Sequence, residues 1–206
     1  MKLYFAETIN GRKACAAAKY VGAPVEFIRV DFRTGEHKKP AFIAMNPNAK
    51  VPVLESNGET LWESNAIMCR LAEATGSDFW PRDQREIDVI RWMFWSSEHF
   101  SRYASRLYFE YIVKPLFGIP PYDAAMIDEA KGYVRQYGQV LDDHLRGRMF
   151  LVGDRPTAAD FAVGAALPYA ERAQLPLEGF AEIARWKARL ETLPAWRDPF
   201  PVAQAA

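Results

Sequence analysis

An α/β domain followed by an all-helical domain is the fold class this sequence predicts. Three observations carry that prediction. Short runs rich in β-branched and aromatic residues occur only in the early part of the chain, up to Trp62. A stretch carrying Gly, Ser, Asp and Pro follows over residues 76–86 and reads as a linker. Beyond it the apolar residues recur at helical spacing only.

Lys2–Ala6 suggests a first strand, and Thr8-Ile9-Asn10-Gly11 a turn. A helix follows over about Arg12–Val21, with Ala14, Ala17, Ala18 and Val21 on one face. Gly22-Ala23-Pro24 stops it. Val25–Phe32 is a second strand, and two strands around one helix make a parallel βαβ unit with a right-handed crossover. Arg33–Lys39 is polar, a loop or a loose helix. Val51–Glu55 is a third strand, Asn57-Gly58 a hairpin turn, and Thr60–Trp62 the returning strand. Glu63-Ser64-Asn65 opens a helix with Ile67, Met68, Leu71 and Ala74 at helical spacing. The order βαβ then ββα is the thioredoxin-like arrangement, and it defines a first domain over residues 1–75. The second domain, residues 87–206, is read as helices over Ile87–Tyr111, Asp123–Leu145, Ala158–Ala170 and Phe180–Leu193. The segment Lys114–Pro121 is too proline-rich to continue a helix.

Composition narrows the function. Of 206 residues, 50% are hydrophobic and 25% charged, the balance of a globular protein with a sizeable core. Twenty-six basic residues offset 26 acidic ones, so no positive field points to nucleic acid. No apolar run approaches the ~20 residues of a membrane span. The chain opens directly on a strand-like pattern with no signal-peptide core, and the expected location is cytoplasmic. Cys15 and Cys69 match no disulfide or metal spacing, so no metal is expected; both read as inert core thiols, and His99 and His144 as structural histidines.

The chemistry concentrates between residues 35 and 65. In Asn46-Pro47-Asn48-Ala49-Lys50-Val51-Pro52, a proline opens a strand. A cis Val51–Pro52 bond there exposes the N–H and C=O of Val51 to an extended peptide, as in strand addition. Read alone, it is an ordinary turn. Downstream, Glu63-Ser64 sits at a helix start, whose free N–H groups hold a carboxylate; Ser64 adds a hydroxyl donor and Glu63 an acceptor for an ammonium. Together they suit an amino-acid head group bearing both charges. The alternative for Ser64 is a simple N-cap. Gly35-Glu36-His37-Lys38-Lys39 supplies cations that are either a solvated surface or a clamp on a second carboxylate, with Lys50 assisting. Thr157-Ala158-Ala159-Asp160 is an aspartate variant of the capping box and belongs to folding.

These runs carry a resemblance. Gly35–Phe42, Asn46-Pro47 with Val51-Pro52, and Glu63-Ser64-Asn65-Ala66-Ile67 resemble the cytosolic glutathione transferases, closest to the phi class and its bacterial relatives. Phe109–Gly118, Leu151–Asp160 and Leu193-Pro194-Ala195-Trp196 extend it through the helical half. The resemblance implies that reduced glutathione is the co-substrate. Its γ-glutamyl end would meet Glu63 and Ser64, its cysteinyl part the Val51 backbone beside Pro52, and its glycine carboxylate His37, Lys38 and Lys50.

In that family the thiol is activated by a hydroxyl, a cysteine or an amide just before the first helix. A thiol of pKa about 8.5 is only a few per cent thiolate at neutral pH, and lowering it by ~2 units needs about 2.7 kcal/mol. The phi-type serine position falls on Thr8, with Asn10 a second donor two residues on. Thr-x-Asn-Gly also resembles a bacterial branch with glutathione-dependent disulfide reductase activity. Thr8 is taken as principal and Asn10 as partner, the alternative being that both are simple helix-cap residues; Tyr4, inside the first strand, is not the donor. Tyr103, Tyr108 and Phe109, in an unusually aromatic stretch, are candidates for the pocket of a small hydrophobic electrophile.

Resemblance further implies a two-fold homodimer, the first domain of one subunit against the helical domain of the other, with Met68, Met93 and Phe94 at the interface. Two alternatives to a conjugating transferase stand: a glutathione-dependent disulfide reductase or peroxidase, and a non-catalytic interaction module. The latter is like the gamma subunit of elongation factor 1, which has a similar Glu-Ser-Asn-Ala-Ile stretch.

Overall fold

The computed structural model describes residues 1–120 and 124–201. The chain divides into two compact units: Met1–Arg82 together with the tail that begins at Glu191, and Asp83–Leu190. Asp123 and Pro121, included in the expected helix and proline segment, and the last five residues of the expected helical domain lie outside the described residues.

The first unit is built on a four-stranded sheet of order β2-β1-β3-β4. Its strands are β1 (Lys2–Phe5), β2 (Glu26–Arg29), β3 (Val53–Ser56) and β4 (Glu59–Trp62). β1 pairs parallel with β2, Leu3 opposite Phe27, and antiparallel with β3, Leu3 opposite Leu54. β3 and β4 form the hairpin predicted at Asn57-Gly58, both of which take positive φ (52° and 80°), as a tight two-residue turn requires. Side chains alternate along β1: Leu3 and Phe5 are buried, while Tyr4 meets Phe42 in a smaller cluster with Val30, Val51 and Val53. Helices α1 (Ile9–Tyr20) and α3 (Ser64–Thr75) pack on each other; the run of alanines in α1, all buried, lets them approach closely. Glu36–Lys38 is one 3₁₀ turn, followed by α2 (Pro40–Met45) with proline at its first position. Two expectations shift here. α1 begins three residues early, at Ile9, because Thr8 caps it; and β2 is shorter than Val25–Phe32.

In the second unit α4 (Glu86–Trp95) and α5 (Ser101–Tyr108) run on through a π-helical turn at Ser96–Phe100. A second π turn, Phe109–Val113, leads into α6 (Lys114–Phe117). The helix therefore continues past Pro115, against expectation. The reason is local: the Lys114 N–H bonds five residues back to the Phe109 carbonyl, so the wide turn is closed before Pro115, which has no N–H to give. Gly118, at φ 64°, then ends it, the Ile119 N–H returning to the Lys114 carbonyl at 2.9 Å. α7 (Ala124–Leu145), α8 (Ala158–Gly164) and α9 (Ala181–Glu191) complete the unit, the expected Ala158–Ala170 helix shortening to α8 and a 3₁₀ turn at Leu167–Tyr169. Asp142 of α7 accepts from the Glu182 and Ile183 N–H groups, both 2.9 Å, and so caps α9 from another helix. Among the described residues no helix is long and apolar enough to cross a membrane.

After α9 the chain joins the first unit. α10 (Pro194–Arg197) packs on α1, with Trp196 buried.

Candidate active site

The first turn of α1 presents both proposed thiol-activating residues. Thr8 is extended (φ −117°, ψ 165°), and its Oγ1 accepts from the Gly11 N–H at 3.0 Å. The hydroxyl oxygen is thus engaged in capping while its proton stays available to an acceptor. Asn10, placed in a turn by the sequence, is the second residue of the helix and is exposed. Gly11 has a steric reason: a Cβ there would stand 2.1 Å from the Ala6 carbonyl oxygen. Tyr4 donates its hydroxyl to Glu55 at 2.7 Å, and that bond with partial burial pushes its pKa up to about 12, so it is no thiol base.

The start of α3 is unusual. Its N-cap is Glu63, not Ser64, and no side chain caps the helix. Glu63 takes φ 71°, a left-handed conformation that costs a side-chain-bearing residue of order 1–3 kcal/mol. Ser64 is freed from capping: its Oγ donates to Asn10 Oδ1 at 3.4 Å. Beneath lies Lys13, buried, donating to Asn65 Oδ1 at 3.1 Å. Burial pushes its pKa down to about 8, against the pull of the Glu63 carboxylate.

The Val51–Pro52 bond is cis, as the sequence suggested. Neither the N–H nor the C=O of Val51 has a hydrogen-bond partner among the described residues. The preceding loop is held by Asn46, whose Nδ2 donates to the Lys50 carbonyl at 2.7 Å and whose Oδ1 accepts from the Asn48 N–H at 3.0 Å. The chain thereby gathers Asn10, Asn46, Asn48, Lys50, Val51, Pro52, Glu63 and Ser64 around one pocket.

Thr8, His37 and Lys38 do not line that pocket. His37 packs on Phe32 at 4.3 Å between ring centres, and burial together with Lys38 pushes its pKa down. Lys38 is exposed beside it. In the second unit Tyr103 and Tyr108 serve different neighbours. Tyr103 stacks on Tyr133 at 4.3 Å and belongs with Tyr137, whereas Tyr108 meets Tyr169 edge-on at 5.0 Å. Phe109 is exposed on one side with the Lys114 ammonium 5.9 Å from its ring. Met68 and Met93 are buried within the chain and offer nothing to a partner, which corrects their expected interface role; Phe94, 69% exposed, does offer a surface. Cys15 is fully buried, which pushes its thiol up to about 12.

Three contributors were missed in the sequence. Asn46 and Asn48 stood within the quoted loop, and their Asn-x-Asn spacing is the signal of a side-chain-to-backbone turn. Lys13 carried no such signal, since its burial depends on α3.

What the pocket can do follows from its groups. Glu63 offers an acceptor, the uncapped α3 start and Ser64 offer donors, Lys50 a cation, and Val51 an unpaired strand edge. A peptide with an amino-acid head and a second carboxylate fits that set. Comparison with known proteins gives the family. The glutathione S-transferase N-terminal domain model matches residues 1–73 and the C-terminal domain model residues 100–194, so both halves are covered. Glutathione S-transferase 3 of Zea mays is 33% identical over 183 residues, 85% of this chain and 82% of that protein. A glutathione S-transferase of Hyoscyamus muticus is 29% identical over 89% of each chain. Among solved structures, the theta-class glutathione S-transferase of Xanthomonas axonopodis pv. citri, with glutathione bound, superposes with a TM-score of 0.85 at 28% identity, over 98% of this chain and 97% of that one. With both domain models and near-full-length relatives in agreement, this chain belongs to the glutathione S-transferase family of enzymes.

Proposed function

We propose that the protein binds reduced glutathione in the pocket of its first unit, stabilises the thiolate, and transfers it to a small hydrophobic electrophile. The observation that carries this reading is the unpaired backbone of Val51, facing the same pocket as Ser64, Glu63, Lys50 and Asn10. The γ-glutamyl ammonium pairs with Glu63 and its carboxylate sits at the α3 start with Ser64. The cysteinyl part adds to the Val51 edge beside Pro52. The glycine carboxylate takes Lys50, with His37 and Lys38 on the neighbouring 3₁₀ turn. The Thr8 hydroxyl donates a hydrogen bond to the thiolate sulfur and Asn10 assists; the α1 N-terminus adds its partial positive charge. Tyr103, Tyr108 and Phe109 are the aromatic groups proposed for the acceptor, with a cytoplasmic homodimer as the working form, Phe94 available to the second copy.

A second reading has one observation behind it. Asn10 lines the pocket and hydrogen-bonds Ser64, while Thr8 does not line it. An Asn10-led site is the glutathione-dependent disulfide reductase or peroxidase alternative. Thr8→Ala and Asn10→Ala, each assayed on a chlorinated aromatic and on a small disulfide, separate the two. For the transferase, Thr8→Ala lowers conjugation about 100-fold and Asn10→Ala about tenfold, as for loss of one anion-stabilising donor. A larger loss in Asn10→Ala on the disulfide supports the second reading. Retention on immobilised glutathione with no turnover of either substrate would leave a binding module.

A further inference from the structure

The first turn of α1 is held by more than its own hydrogen bonds. Arg12, the residue after Gly11, is buried at 8% exposure, and its N–H donates to the Thr8 carbonyl at 2.8 Å. Its side chain turns to the C-terminal tail. Arg12 Nη2 donates to the Trp196 carbonyl, and the guanidinium lies 5.2 Å from the centre of the Trp196 ring. Two turns further along the same helix, Lys19 Nζ donates to the carbonyls of Asp198 and Phe200 at 2.6 and 2.8 Å. Phe200 stacks on Phe5 of β1, 5.9 Å between centres at 17°. The tail from Pro194 to Phe200 is therefore fastened at both ends along one side of α1, by two cations reaching carbonyl oxygens and by two aromatic contacts.

The fastening is directional. Arg12 pulls on the turn that carries Thr8 and Asn10, and the adjacent Lys13 points to Asn65 at the start of α3. The turn is braced between the tail on one side and the γ-glutamyl subsite on the other. A hydroxyl or amide donor stabilises a thiolate well only when held within about 0.5 Å of its productive hydrogen-bonding position.

Resting on the glutathione reading above, we infer that the tail Pro194–Phe200 is a working part of the thiol site, and that Arg12 and Lys19 are positioning residues which set Thr8 and Asn10 against the sulfur. No residue of the tail lines the pocket. It acts through α1.

The test uses full-length variants and two readouts: the pKa of the bound glutathione thiol, from the ultraviolet absorbance of its thiolate, and the affinity for S-methylglutathione, which has no thiol. Arg12→Met raises the bound-thiol pKa by about one unit and lowers kcat at neutral pH about tenfold. Affinity for S-methylglutathione stays within about threefold. Arg12→Lys restores part of the shift. The double variant Lys19→Met/Phe200→Ala, which loosens the far end at an exposed lysine, moves the thiol pKa in the same direction by a smaller amount. It decides the question alone should Arg12→Met fail to fold. A bound-thiol pKa equal to wild type in the double variant and in any folded Arg12→Met overturns the inference. A wild type that binds no glutathione overturns the underlying reading instead.

Discussion

Two helix starts in this molecule are built to opposite ends. At α8, Thr157 and Asp160 close on each other in a capping box, and the whole turn is buried. Asp160 accepts four hydrogen bonds: from the N–H groups of Leu151 (2.9 Å) and Thr157 (2.8 Å), the Thr157 hydroxyl (3.1 Å) and the Trp186 indole (3.0 Å). At α3 nothing caps the helix, the N-cap residue Glu63 sits at φ 71°, and Ser64 turns its hydroxyl towards Asn10. The first start is complete without a ligand. The second is left incomplete and strained, in the way binding sites commonly are. The difference teaches that a polar helix start is a stability device when its donors and acceptors match internally, and a recognition device when they do not.

Breaking the closed start has the largest expected effect. Asp160→Ala orphans three buried N–H donors and destabilises the fold by about 4 kcal/mol, measured by urea unfolding. The pH dependence follows from the same carboxyl. Burial pushes its pKa up from 3.8 to about 6, against the hydrogen bonds that pull it down. A folded-state pKa above the unfolded one contributes stability that is full below 3.8 and lost as the pH rises through about 6. Wild type therefore loses unfolding midpoint relative to Asp160→Asn between about pH 4 and pH 7. Equal midpoints at both values would remove the burial argument.

Breaking the open start leaves stability nearly intact and removes function. Ser64→Ala weakens glutathione about tenfold by calorimetric titration, the loss of one charge-assisted donor, with a stability change under about 0.5 kcal/mol. Unchanged affinity would return Ser64 to a purely structural role. The smallest effect sharpens the contrast most. Glu63→Gly relieves the positive φ and stabilises the fold by about 1 kcal/mol, net of the backbone entropy of glycine. The same change weakens glutathione by removing the partner of its ammonium. A variant that loses both stability and affinity would mean that Glu63 is not strained for binding.

Lys13 and Arg12 show where local reading stops. Both lie in the helix that the sequence predicts, and both are charged residues of a kind that normally faces water. The structure buries them and sends them to different places, one to α3 and one to the tail. Nothing at positions 12 and 13 alone could announce that. The aromatic stretch is similar: its density was plain, but Tyr103 and Tyr108, five residues apart on a helix, serve different neighbours.

By itself the sequence determined the order of the main elements, the hairpin at Asn57-Gly58, the cis bond at Val51–Pro52 and the capping box. Each of those rests on chemistry within a few residues: turn conformation, proline geometry, a cap that spans three positions. Tertiary structure alone decided that Asn10 enters the pocket, that Met68 and Met93 are interior, and that the tail from Glu191 joins the first unit. Most of these depend on partners far away in sequence. Asn10 meets Ser64 across 54 positions, Lys13 meets Asn65 across 52, and Arg12 meets the Trp196 carbonyl across 184. No local pattern encodes a contact at that separation; it exists only once the chain has closed on itself.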